Sequence, residues 1–261
     1  MAVILGNALA DLAAGVRRYR VWVALATEDV GDQHRRTALG PLWMLINYLA
    51  FAATFIFIFH AGEADRTYPI YVATGLLVWF FIMETLNSSV TLFVREESLI
   101  KGTTLPLSVY VLRATLQAVI RTAYALAGCI GILLLAGAAP GAGWGWAALG
   151  LAVVVLTAPA AIICVAFLGV FVPDSQFVVS NLMRVGMFVT PVFWTNPGGG
   201  LREAAYAYNP FTYFLEIVRV PILAGDLPAP ALALCIGMSI LAWTLALLLL
   251  GSFRREVALV L

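Results

Sequence analysis

Long apolar runs separated by short charged islands organise this chain. A bilayer core of about 30 Å takes roughly 20 apolar residues in a helix. Runs of that kind extend from Leu42 to Phe59, Pro69 to Phe93, Pro106 to Ala136, Trp146 to Val172, Gln176 to Trp194 and Ala231 to Gly251. They are continuous and lack the alternation of barrel strands, and a helix satisfies its own backbone groups in lipid. The pattern predicts an all-α integral membrane protein with six transmembrane helices. The third run is longer than the bilayer requires, so its first turns should project beyond it.

Two stretches depart from this pattern. From residue 5 to 23, Leu5, Leu9, Leu12, Val16, Tyr19 and Val23 recur at steps of three and four, with Asn7, Asp11 and Arg18 opposite. With Arg17, Arg18 and Arg20 at its edge, this amphipathic helix either lies along an anionic membrane surface or packs on a soluble partner. A polar stretch, Glu28 to Arg36, links it to Gly40-Pro41, where Pro41 suits the first turn of a helix. Between 196 and 230 the chain is too polar to span and too apolar for a plain loop. There Asn209 as N-cap, Pro210 at the first helical position and Phe211 begin a short helix through Arg219, read as re-entrant or interfacial.

Composition agrees: 62% of residues are hydrophobic and 11% charged, and the mean hydropathy is +0.97, far from a soluble domain. The formal net charge of +1, with no basic tract, leaves no footprint for nucleic acid. Its distribution is more telling. With the amino terminus inside, the cytoplasmic side gathers Arg17, Arg18, Arg20, Arg35, Arg36, Arg95, Lys101, Arg113, Arg254 and Arg255, against Arg66, Arg202 and Arg219 outside. The positive-inside rule then puts both termini in the cytoplasm. Cys129, Cys164 and Cys235 each lie in an apolar run without metal-ligand spacing, as packing residues. Basic residues follow the first short apolar stretch instead of preceding it, so no cleavable signal peptide is expected.

Candidate chemistry is sparse. His34 and His60 fall in separate segments without a nucleophile or ligand set, which predicts neither catalysis nor a metal site. The only lysine, Lys101, lacks the glycines of a phosphate-cradling loop, so any ATP and Mg would be held by another chain. Charges within spans are costly and mark function or pairing. Glu84, Arg121 and Arg184 are such charges, with Arg113, Gln117 and Arg121 on one face and Asn181 near Arg184. Two readings stand side by side: an ion pair such as Glu84 with Arg121, or a vestibule in which Arg121 and Arg184 meet a lipid diphosphate. Aromatic residues also gather, Tyr48, Phe51 and Phe55 on the first span and Phe188, Phe193 and Trp194 at the end of the fifth. They form either a wall along which sugar rings slide or ordinary packing and an interfacial belt.

Several ordered motifs resemble the type-2 ABC exporter permeases that carry O-antigen, capsular polysaccharide and teichoic acid. They are Arg36-Thr37-Ala38-Leu39-Gly40-Pro41-Leu42-Trp43, Gly75-Leu76-Leu77-Val78-Trp79-Phe80-Phe81, Leu99-Ile100-Lys101 with Leu105-Pro106, Thr190-Pro191-Val192-Phe193-Trp194 and Asn209-Pro210-Phe211. The resemblance implies one transmembrane domain over 1–261: an interface helix and linker (1–36), a six-span bundle (37–251) with a periplasmic re-entrant region (196–230), and a cytoplasmic tail (252–261). It also implies a homodimer in the bacterial inner membrane with two ATPase chains, exporting an undecaprenyl-diphosphate-linked polysaccharide along a channel formed by the first and fifth spans. A coupling helix containing Glu96, Glu97, Leu99, Ile100 and Lys101 would dock on the ATPase. One departure is the loop Val172-Pro173-Asp174-Ser175, which lacks the Arg-Asp pair common there. Competing functions are an exporter of drugs or small lipids on the same fold and a lipid-modifying membrane transferase.

Overall fold

The computed structural model describes residues 2–35, 37–60, 66–195 and 198–261, and no strand occurs among the described residues. Arg36 of the first motif, residues 61–65 and Asn196-Pro197 lie outside the described residues, as do the side chains of Ala2, His34, His60, Arg255 and Ala258. Helices α1 (Ala2–Arg17) and α2 (Tyr19–His34) precede α3 (Leu42–His60) and α4 (Thr67–Val90). Two short helices, α5 (Leu92–Arg95) and α6 (Glu97–Gly102), lead into α7 (Leu107–Leu135), α8 (Ala142–Phe171) and α9 (Ser175–Val189). After α10 (Gly200–Tyr208) and α11 (Pro210–Ala224), α12 (Ala229–Val260) closes the chain. Five of these, α3, α4, α7, α8 and α12, are long and apolar enough to cross a bilayer.

The expected fifth span is not one helix. Pro191 lacks an N–H, and the residue before a proline avoids the helical region. Thr190 accordingly turns extended, with ψ 140, and α9 stops after 15 residues, about 22 Å at helical rise. The chain nevertheless continues along α4 in the antiparallel sense. Gln176 borders the same cavity as Val90, Gly186 abuts Trp79, and the Phe193 carbonyl accepts a hydrogen bond from Tyr68 near the start of α4 at 2.8 Å. Helix plus extended segment thus run the length of a spanning helix.

Trp79, Leu76 and Leu77 on α4 form the centre of one apolar core with Val154, Leu215 and Ile217. A second core joins Phe93, Tyr110, Phe167 and Leu250 at the end of the bundle that holds α1, α5 and α6, termed proximal below. Helices in lipid associate through close backbone approach at small residues. Gly143 and Gly150 of α8 lie against the carbonyls of Pro221 and Ile217 on α11, with no room for a Cβ. Phe211, at the start of α11, packs edge-on against Trp79 at 5.6 Å, about halfway along α4. Helix α11 therefore starts at mid-depth and climbs from there toward the end of the bundle where α8 begins. Its start follows the sequence, the Asn209 side chain accepting from the Phe211 N–H at 2.9 Å, but it runs past Arg219 to Ala224 with Pro221 inside.

The amino-terminal segment differs from the expected single amphipathic helix. It breaks at Arg18 (φ −87, ψ 33), and the polar linker is helical as far as His34. Asp11, expected on the outward polar face, is 7% exposed. Its carboxylate accepts from the Ser108 N–H at 3.0 Å, and its carbonyl from the Ser108 hydroxyl at 2.7 Å, capping the first turn of α7 from another element. The apolar residues Leu9, Val16 and Tyr19 are exposed instead. In lipid this inversion is expected: the small and polar face packs on protein, and the apolar face is free to meet the membrane. At the other terminus the expected tail is not separate, because α12 continues unbroken through 252–260.

Candidate functional site

An open cavity of about 1050 Å³ lies between α3, α4, α7 and α9 in the proximal half. Tyr48, Phe51, Phe80 and Phe188 line it together with Glu84, Asn87, Arg121 and Arg184. It thus collects three of the six aromatic residues, Tyr48, Phe51 and Phe188, and all three of the intramembrane charges singled out from the sequence. Their environments differ. Tyr48 is 2% exposed and its hydroxyl donates to the Ala73 carbonyl at 2.7 Å, so it braces α3 on α4. Phe51, exposed, meets Phe80 edge-on at 5.4 Å. Arg121 is ion-paired to Glu84 and donates to Gln33 Oε1 at 2.8 Å. Arg184 is exposed and has no hydrogen-bond or ion-pair partner among the described residues. Of the two guanidiniums, one is held by protein and one is available.

A second cavity of about 640 Å³ opens toward the opposite, distal end, between Phe59, Tyr68, Phe188, Phe193, Trp194 and α10. Phe188 borders both cavities. At this seam Phe193 stacks on Phe55 at 4.6 Å and on Phe59 at 5.5 Å, and meets Phe188 edge-on at 5.7 Å. Phe55 therefore belongs to the ring cluster between the cavities and not to the wall of the inner one. Phe59 and Phe80, which the sequence reading passed over, complete the aromatic set.

On the proximal side the polar stripe of α7 meets a matching stripe on α2. Arg113 grips Asp29 with two hydrogen bonds, 2.6 Å from Nε and 2.8 Å from Nη2, and reaches Glu96 with Nη1 at 2.9 Å. Gln117 also donates to Asp29, and Gln33 accepts from Arg121. Asp29 and Gln33, four residues apart on one helix face, match Arg113, Gln117 and Arg121 at the same spacing. That correspondence was the available signal, hidden by reading Glu28 to Arg36 as linker. A smaller cavity of about 530 Å³ runs along this ladder and shares Ser88 and Arg121 with the large one.

The ladder divides the expected coupling segment into two faces. Glu96 turns inward to Arg113, and Ile100 packs against the proximal core. Leu99 faces out at 39% exposure, flanked by Glu97 and Lys101, whose ion pair spans one helical turn at 2.7 Å. One apolar anchor with charges beside it is thus presented to whatever docks there. Of the residues expected to be re-entrant, Asn209 ties to the fifth run, its Nδ2 donating to the Thr190 hydroxyl at 2.8 Å, and Phe211 packs on Trp79 of α4.

A family model described as ABC-2 type transporter matches residues 20–223. Two proteins from Klebsiella pneumoniae, each described as O-antigen export system permease protein RfbA, are 25% identical to the chain over 178 residues, covering 67% of it and 68% of the relative.

Proposed function

The chain belongs to the ABC-2 type transporter family, and from that membership we propose that it is the permease of an exporter carrying a polysaccharide on an undecaprenyl-diphosphate-type lipid across the bacterial inner membrane. The observation that carries this reading is the large cavity, in which exposed Phe51 and Phe188 accompany a guanidinium, Arg184, that no group among the described residues engages. Apolar sugar faces rest on rings without being trapped, and a guanidinium fork matches diphosphate oxygens. The names of the Klebsiella relatives point to the same class of cargo. A transferase would need a free acid or base at this site, and the one carboxylate lining the cavity, Glu84, is engaged by Arg121.

In this reading a second copy faces the open side of the cavity, and two ATPase subunits, which bind ATP and Mg, dock at the proximal end with Leu99 as apolar anchor in a groove. The test is reconstitution with the ATPase in liposomes carrying a lipid-diphosphate-linked glycan. ATP-dependent appearance of the glycan at the far leaflet is expected. Movement of drugs or unglycosylated lipids alone would favour the small-cargo exporter on the same fold.

The proximal end is cytoplasmic in this proposal, as is the α1–α2 segment with Arg17, Arg18 and Arg20 around its break, and the extended segment after α9 completes a sixth crossing. Arg18 and Leu201 are both exposed, one at the α1–α2 break and the other on α10. In intact cells an impermeant maleimide should label Leu201→Cys and spare Arg18→Cys, with the reverse in inverted vesicles. Labelling of Arg18→Cys from outside would overturn the topology.

A further inference from the structure

Arg219, counted from the sequence as an outer-side charge at the end of a re-entrant or interfacial helix, is 3% exposed inside the bundle. Its Nη1 donates to the Pro191 carbonyl at 2.8 Å and its Nη2 to the Val192 carbonyl at 3.0 Å. The guanidinium lies 3.5 Å from the centroid of the Tyr71 ring. The Tyr71 hydroxyl in turn is within hydrogen-bonding distance of the Pro191 carbonyl (3.1 Å) and the Trp194 carbonyl (2.8 Å), and Tyr68 donates to Phe193. Four consecutive carbonyls, 191 to 194, are thus met by side-chain donors from α4 and α11. Glu216, one turn before Arg219, accepts instead from the Tyr206 hydroxyl, which burial and that carboxylate push above the usual phenol range.

These donors answer a specific need. Beyond the end of α9 the carbonyls have no intrahelical partner, and non-helical backbone at membrane depth persists only where protein or a cavity supports it. Arg219 reaches its two carbonyls because residue 75 is glycine: a Cβ there would overlap both Arg219 Nη2 and the Val192 oxygen. A planar fork with two parallel donors suits two successive carbonyls in a way a single amide or ammonium does not. The same segment carries Phe193, whose ring lies against Phe55, Phe59 and Phe188 at the seam between the two cavities.

We propose that Arg219 is the positioning residue of a distal gate: by grasping the Pro191 and Val192 carbonyls it holds this segment non-helical and keeps the Phe193 and Phe188 rings closed over the seam. The proposal rests on reading the two cavities as the export path. Met187 lines the inner cavity and serves as reporter. In the assembled permease–ATPase complex in intact cells, without added glycan, the rate at which an impermeant maleimide applied from outside labels Met187→Cys measures closure. Adding Arg219→Gln should raise that rate about tenfold, and Tyr71→Phe, which removes the hydroxyl but keeps the ring, about threefold. Wild-type rates in both, with normal assembly and melting temperature, overturn the gate. If Arg219→Gln does not assemble, Tyr71→Phe decides alone. Because labelling needs no cargo, failure of the parent complex to move lipid-linked glycan would count against the proposed function and not against the gate.

Discussion

Arg113→Leu is expected to destabilise the protein by about 3–5 kcal/mol, the range for breaking a buried ion pair by removing one partner. The side chain is 14% exposed and balances two carboxylates at once, Asp29 at 26% and Glu96 at 9%. Without it Asp29 keeps only the Gln117 amide and Glu96 only the more distant, half-exposed Arg95 at 3.6 Å, and α2 loses its ion pair to α7. Its connection to Glu96 also places it directly behind the α6 surface proposed to dock the ATPase. The melting temperature in detergent should therefore fall, and co-purification of the ATPase with it. Adding Asp29→Leu should recover part of the loss, since replacing both partners by apolar groups removes the stranded charge. A single mutant that melts with the wild type would show that the ladder contributes no stability.

The spanning architecture was legible in the sequence because hydropathy needs no knowledge of neighbours: length and apolarity located α3, α4, α7 and α8 within a few residues, and α12 except for its last nine residues. Local chemistry was equally readable where cap and helix are adjacent, as with Asn209 and Pro210. What failed depended on distant partners. Asp29 looked like a linker charge until Arg113, 84 residues away, met it. Asp11 looked solvated until Ser108 donated to its carboxylate and to its carbonyl. The fifth run was read as one span through Pro191, and donors from α4 and α11, distant in the chain, hold it extended there instead of letting it resume a helix. The motifs around Gly75, Pro191 and Asn209, far apart in the chain, turn out to be parts of one junction: glycine makes room for Arg219, and Asn209 both starts α11 and holds Thr190.

The two cavity arginines should separate cleanly under the same substitution, because their surroundings differ while their chemistry does not. Arg184→Gln removes a guanidinium with no partner among the described residues, so stability should change by no more than about 0.5 kcal/mol, as for a surface change away from any network. If Arg184 meets the carrier diphosphate, the lost charge-assisted hydrogen bonds weaken capture by on the order of tenfold or more. Export in the reconstituted system should then show a raised half-saturation for lipid-linked glycan at nearly unchanged ATPase turnover. Arg121→Gln acts the other way, stranding Glu84 and loosening Gln33, so melting temperature falls first and export follows it. Glu84→Gln in that background should restore stability and leave export dependent on Arg184 alone. Equal loss of export in Arg184→Gln and Arg121→Gln, with equal loss of stability, would mean that both side chains are structural and that the diphosphate is recognised elsewhere.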